Sequence, residues 1–553
     1  MRRRSFFDAS VKLLLSGSLL ADAARADSAE ESAHGFRTFT PQSFGAKATG
    51  ETMDGPAIQQ AVDACAKAGG GIVYLAPGAY LTGTVILKSN VTLYLEAGAT
   101  LRGSPRIEDY PPQSGDRVNP QGDANDKHLI FARDAVNVGL AGRGRIDGQG
   151  PAFWFKNDRR YHPPELEWTD VATWYLGHGP RPGPLLEFVG VKGLYINDVT
   201  IENAASWTLR PLACDDVFIR GITIRNPRNG PNTDGIDPTG CRNLLIADCN
   251  ITTGDDAICL KSENQYGLQR VSKNIVITNC VIDTNCNGFK IGTASFDGFE
   301  NITLSNCVFY SRGTRLREHM ISALAIETVD GGYIDGLTAT NLVMQTVRTP
   351  IFVRLGNRRG QGTLRNVAIS DVRATGSICT SSVTGLPGHP VRNVSLSNIF
   401  IGSDEGGEEA WADREIPEKP DSYPEARMFG RLPASGLYVR HVHGIRLRNY
   451  RLESSKPDYR PLLVCDDVED LDVDGLSANA SQGRQPVVRL SNVRGAFFRG
   501  CSAPRGAGPF LYVDGEQTRD VTLIGNDLGS ARTPCEGARA DAVFAASNRP
   551  PQG

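Results

Sequence analysis

One motif returns twelve times between residues 193 and 528: an apolar pair two apart, a turn residue, then a second apolar pair two apart. Examples are "NLLIADCNI", "NIVITNCVI", "NVSLSNIFI" and "DVTLIGNDL". The first apolar residues are Leu194, Val217, Leu244, Ile275, Ile302, Leu337, Val367, Val394, Ile445, Leu471, Ala496 and Val521, spaced by 23 to 35 residues with one gap of 51. Four residues after each stands Asp198, Gly221, Asp248, Asn279, Asn306, Asn341, Asp371, Asn398, Asn449, Gly475, Gly500 or Gly525. Asn, Asp and Gly enter the left-handed backbone region at least cost, so each repeat reads as two short strands meeting at a one-residue bend. A period of this size, sustained through most of a chain, dictates a stack of equivalent coils.

A third strand follows in most repeats, as in "DGIDPTG", "DAICLKS", "GFKIGTA", "ALAIETV" and "PIFVRLG". Three strands per coil predict an all-β right-handed, single-stranded parallel β-helix. Leucine-rich repeats fit less well because no helical pattern alternates with the strands, and propeller blades are longer and antiparallel. Near the start, "DGPAIQQAVDACAKAGGG" predicts a capping helix over the open end of the stack. Asp54 is placed to cap it, Pro56 lies in its first turn, Ile58, Ala61, Val62 and Cys65 share a face, and Gly69 to Gly71 stop it. One domain is expected over about residues 36–545, with insertions at 150–183 and 403–436. The first insertion holds Trp154, Trp168 and Trp174 and is placed to wall one end of a groove or to pack into the core.

The 60 glycines and 32 prolines among 553 residues agree with frequent turns. A net charge of −3 gives no global attraction to nucleic acid. Twelve cysteines in so long a chain do not make a disulfide scaffold; Cys249, Cys280 and Cys307 share one repeat position and are expected to stack inside as small apolar groups, a disulfide among them being the other reading. Residues 1–26 read as an export signal, with three arginines, an apolar stretch and Ala-Arg-Ala ending at Ala26. No later run is long enough to span a membrane, and with the export signal a periplasmic or extracellular protein is expected; a monomer is expected as well.

Stacking places equivalent positions in columns. The third strands align Asp234, Asp256, Asn287, Ser322 and Thr349, with neighbours roughly 4.8 Å apart. Asp255 adjoins Asp256, so three carboxylates converge. Such a cluster destabilises the fold unless it moves protons or holds a cation. A carboxylic acid beside carboxylates is the apparatus of glycoside hydrolysis, and calcium is the competing use.

"NTDGID" followed by "GDDAI" and "KS" resembles the signature of glycoside hydrolase family 28, the polygalacturonase group of pectin-degrading enzymes. The resemblance extends to "SFGAKATGETMDGPAIQQAVDAC", "RPGPLLEF" and "NAASWTLRPLACDDVFIRGITI". It implies Asp255 as general acid, Asp234 and Asp256 as the pair that activates water, inversion at the anomeric carbon, Asn232 as a shaper of the turn, a pectic poly- or oligosaccharide substrate, and no cofactor or metal. Two features depart from the family pattern. The Gly-His-Gly of the next coil falls on Cys286, Asn287 and Gly288, and the Arg-Ile-Lys that grips the substrate carboxylate falls on Ala325, Ile326 and Glu327. Rhamnogalacturonan-type or exo-acting specificity is therefore expected as readily as plain polygalacturonase action.

Alternation along the third strands turns Cys259, Lys261, Lys290, Glu327 and Arg354 outward. Lys261, Lys290 and Arg354 are then candidate uronate ligands, with Asn287 in the same substrate groove. Glu327 is placed to pair with Lys261 or to bind sugar hydroxyls. Arg348, Asn357 and Arg358 flank the same edge, and His319 is a candidate replacement for the missing imidazole. Two other readings remain open at this level: a calcium-dependent polysaccharide lyase with an Arg or Lys base, and a non-catalytic glycan-binding β-helix.

Overall fold

The structure, a computed structural model, describes residues 37–551 except 114–125, 157–174, 178, 264–266, 269, 314–317 and 480–482. The export signal, Trp168 and Trp174 lie outside the described residues. The chain winds as a right-handed parallel β-helix, and the twelve anchor residues pair with one another in direct succession. Leu194 faces Val217, Val217 faces Leu244, and the register continues without a slip to Ala496 and Val521. Each anchor is at most 4% exposed. Val394 pairs directly with Ile445, so the 51-residue gap is one coil with its excess looped out.

All twelve expected bend residues are left-handed, with φ between 49° and 81°. A second left-handed column lies one residue before each anchor, from Gly193, Asp216 and Asn243 to Gly495 and Asp520, with φ between 53° and 84°. The asparagines of these columns also bond to each other. Asn274 donates its amide to Asn243 at 3.1 Å, and Asn301 to Asn274 at 3.0 Å. In the other column Asn398 donates to Asp371 at 2.9 Å and accepts from Asn449 at 3.1 Å. Asn398→Val combines a β-branched residue at φ 53° with the loss of two ladder bonds. It is expected to cost about 2–4 kcal/mol, and Asn398→Gly, which loses only the bonds, about 1 kcal/mol. Paired thermal melts check the order; a valine variant as stable as the glycine one would contradict it.

The capping helix α1 spans Gly55–Lys67, with Ile58, Ala61, Val62 and Cys65 fully buried. Asp54 does not cap it by a side-chain hydrogen bond, contrary to the sequence expectation. Its carboxylate instead accepts the backbone N–H groups of Lys47 and Ala48, at 2.7 and 3.0 Å, and so ties the preceding loop to the helix start. Cys249, Cys280 and Cys307 are free thiols stacked inside, each donating to the carbonyl two residues earlier.

The third strands form the sheet that carries the site. They include β1 (Leu186–Val189), β2 (Leu209–Leu212), β3 (Ile258–Ser262), β4 (Asn287–Ser295), β5 (Met320–Asp330) and β6 (Val347–Gly360). Beyond β4 the outer face of this sheet is not open to water. Ala426, Met428, Phe429, Leu432 and Ala434 of the 403–436 insertion pack over Ala325, Phe352, Tyr438 and Val464 as a small second core. In the other insertion, the described Trp154 is half-buried against the main core and donates its indole N–H to the Ala205 carbonyl at 2.8 Å.

Candidate active site

Ile236 bridges Ile258, and β3 pairs Ile258 with Phe289 of β4, which places Asp234, Asp256 and Asn287 on successive rungs two residues earlier. Asn287 pairs with Ser322 and Ser322 with Thr349, completing the expected column. Local hydrogen bonds fix the segments that carry the carboxylates. Gly235 N–H donates to the Asp256 carbonyl at 2.9 Å, and Asp256 N–H donates to Asp255 Oδ1 at 2.9 Å. Asn232 is exposed and left-handed at φ 52°, and its Oδ1 accepts from Arg181 at 2.8 Å. It therefore shapes and fastens the turn that delivers Asp234.

Two buried lysines stand behind the aspartates. Lys290 Nζ lies 3.1 Å from Asp256 Oδ2, 3.5 Å from Glu327 and 3.2 Å from the Tyr423 hydroxyl. Lys261 Nζ lies 3.3 Å from Asp237 and 3.8 Å from Asp234, with its ammonium 4.5 Å from the Trp207 ring centre. Burial works against both charges and the facing carboxylates outweigh it, so both lysines stay protonated well above their usual range. Two coils before Asp237, burial of Glu187 is outweighed by Arg210 and His128, which hold its carboxyl down at about 2.

These surroundings separate the three carboxyls. Burial raises Asp255 to about 6, and the neighbouring Asp256 charge adds to the rise. Burial pushes Asp256 the same way, yet Lys290, Lys261 and the Asn287 amide bring it below the usual carboxylate range. Burial, together with Asp255 and Asp237, raises Asp234 well above that range. Environment thus drives the three carboxyls apart, as it does titratable neighbours at acid–base sites.

Several expected ligands have other duties. Arg354 is 1% exposed and donates to the carbonyls of Gly385, Glu418 and Lys419, at 3.1, 2.7 and 3.2 Å. It fastens the 403–436 insertion and does not face a groove. Asn287 is 3% exposed; its amide N–H donates to Asp256 Oδ1 at 2.8 Å and its oxygen accepts from Ser322 at 2.5 Å. It positions Asp256, with its polar groups turned away from substrate. Glu327 pairs with Lys290 rather than Lys261. Cys259 is fully buried and donates to the Gly292 carbonyl at 3.0 Å. Arg358 is bound to Asp330 by two 2.8 Å contacts.

Other site residues escaped the sequence reading. Asp237, fully buried and pushed up to about 7 by burial, was legible as the outward neighbour of Ile236 in "DGID". Trp207, Arg210 and Glu187 occupy adjoining coils, and Tyr423 arrives from an insertion, where no local pattern announces it. The one metal-like grouping among the described residues is Asp255, Asp256 and Cys286, whose ligand atoms lie within 4.8 Å of one another. Its donors suit calcium poorly. Burial keeps the Cys286 thiol protonated, and Lys290 already provides Asp256 with a cation.

The comparisons agree with this geometry. Residues 81–412 match the family described as Glycosyl hydrolases family 28. A probable polygalacturonase of Vitis vinifera is 27% identical over 381 residues, covering 65% of this chain and 73% of its own. An endo-polygalacturonase of Pectobacterium carotovorum is 26% identical over 366 residues, covering 63% and 84%. The crystal structure of an exopolygalacturonase from Thermotoga maritima superposes with a TM-score of 0.54 at 24% identity, over 66% of this chain and 87% of that one, a likeness of fold. The chain belongs to glycosyl hydrolase family 28 and is a polygalacturonase-like hydrolase of O-glycosyl bonds.

Proposed function

We propose that the chain is an exported, inverting glycosidase that cleaves pectic chains from an end, with Asp255 as the acid. The observation that carries this reading is the unequal pairing of the three aspartates. Asp256 and Asp234 each face a lysine, whereas Asp255 has none within ion-pair distance among the described residues and is the most accessible of the three. A carboxyl at about 6 holds its proton for a leaving glycosidic oxygen in mildly acidic solution. Asp256, kept ionised, takes the proton of the attacking water, and the raised Asp234 carboxyl orients that water by a hydrogen bond. Protonation at one carboxyl and water activation at another yields inversion.

Chain-end action is supported by the second core. The insertion packs over Cys286, Ile321 and Ala325, and its Tyr423 meets Lys290, so the groove closes on that side within a coil or so of the aspartates. Incubation with homogalacturonan, rhamnogalacturonan and their oligomers, read by NMR for product size and anomer, tests both points. Short products of inverted configuration from the first minutes are expected. A broad early ladder of oligomers, or retention of configuration, would overturn the corresponding half.

The activity should follow two ionisations. The general acid works only when protonated, so kcat/KM falls as pH rises through about 6. The base works only when ionised, and its depressed value places the acid limb below pH 3.8. A profile rising between pH 6 and 8 would contradict the assignment.

A further inference from the structure

We infer that Arg348 is the receptor for a substrate carboxylate, at a uronosyl subsite on the C-terminal side of Asp255; the inference rests on the glycosidase reading above. Lys261, Lys290 and Arg354 are already committed to Asp237 and Asp234, to Asp256, and to loop carbonyls. Arg348 differs. It is 1% exposed, and its Nε and Nη1 are buried without a hydrogen-bond partner. No carboxylate lies within ion-pair distance of it among the described residues. A buried guanidinium left in this state is costly, and a bound carboxylate would relieve the cost.

Its position suits that ligand. The residues preceding Asn287, Ser322 and Thr349 on the paired strands are Cys286, Ile321 and Arg348, and Asp255 precedes Asp256 in the same column. Arg348 therefore stands three rungs along from Asp255, roughly 14 Å between backbones, a span that one sugar ring and an arginine side chain bridge. Between them stand Cys286, with a neutral thiol, and Ile321, both joined to the insertion's small core. Burial, helped by Arg427 of the 403–436 insertion, lowers the Arg348 guanidinium to about 10, and Glu425 of the same insertion works the other way, so Arg348 lies beside that insertion. The local charge is unbalanced. Glu425 gives both its oxygens to Arg427, at 2.7 and 2.8 Å, leaving two guanidinium groups for one carboxylate. A second carboxylate completes the set, and a planar guanidinium receives it with two parallel bonds. His319, kept neutral by burial and by Arg348, adds an unpartnered Nδ1 beside the same arginine.

The test uses the full chain carrying Asp255→Asn, titrated calorimetrically with trigalacturonate and with its methyl ester, alone and combined with Arg348→Gln or Arg348→Lys. The acid should bind at least about 10-fold tighter than the ester, the glutamine should abolish that preference, and the lysine should keep part of it. Equal affinities in the Asp255→Asn background, or a preference that survives Arg348→Gln, overturn the inference. Melting separates a ligand receptor from a structural arginine: Arg348→Gln should melt no lower than its background. A marked drop overturns the inference, as does stabilisation by sulfate alone with no response to the trisaccharide. Should Asp255→Asn turn over substrate at the parent rate, the assignment of the acid fails while the binding comparison keeps its meaning.

Discussion

Asp255→Asn lowers kcat by roughly 10²–10⁴-fold and leaves KM within a small factor, the range a positioned general acid contributes. The amide matches the carboxyl in shape and accepts the same hydrogen bond from Asp256 N–H, so the turn survives. What it lacks is a proton to give. The variant should also lose the decline of kcat/KM near pH 6, because the group responsible no longer titrates. Substrates with a leaving group that needs no protonation should be rescued, which separates loss of the acid from loss of the fold. Wild-type turnover of Asp255→Asn on pectic oligomers would falsify the assignment.

The architecture was legible because a solenoid repeats its instructions. Each bend needs a left-handed residue, so Asn, Asp or Gly returns at every coil, and the twelve bends stand where their spacing put them. The second left-handed column is written just as plainly, since Asn, Asp or Gly also precedes every anchor. The aspartate column followed from the same register. Ligand roles were harder to read, because alternation says which way a side chain leaves the strand and nothing about what meets it there. Arg354 does turn outward, and an insertion from sixty residues later lies over it. Lys261 and Lys290 also turn outward, and carboxylates of neighbouring coils neutralise them. Tyr423 and the covering core come from a segment without periodicity, so nothing in the sequence fixes their place.

The same facts explain how the family's missing basic residues can be tolerated. With Ala325 and Glu327 where two cations are expected, the cation nearest that place is Lys290, on the rung that pairs with Ala325 and one coil nearer the aspartates. There it lies 3.1 Å from Asp256, and Glu327 stands 3.5 Å away on its other side. On the proposed reading, recognition of a uronate then falls to a cation outside this network, the place inferred for Arg348.

Lys290→Met tests whether the lysine serves the base. Removing the ammonium leaves Asp256 buried with only Lys261 and the Asn287 amide to favour its charge. Glu327, already pushed to about 8 by burial, simply keeps its proton. Breaking one side of a buried pair costs about 3–5 kcal/mol when the other charge must persist, so the variant should melt markedly lower than the parent at pH 7.5. The pH dependence gives the sign. In the parent, Asp256 is depressed below its unfolded value, so its contribution to stability is present above that value and is lost as pH falls. In the variant its value is raised above the unfolded one, so stability is regained as pH falls and the carboxyl takes up a proton. Melts of the two proteins should therefore converge between pH 7.5 and 4, while the acid limb of kcat/KM in the variant moves up by about one unit or more. Parallel melting curves across that interval, with an unmoved acid limb, would show that Lys290 faces the substrate after all.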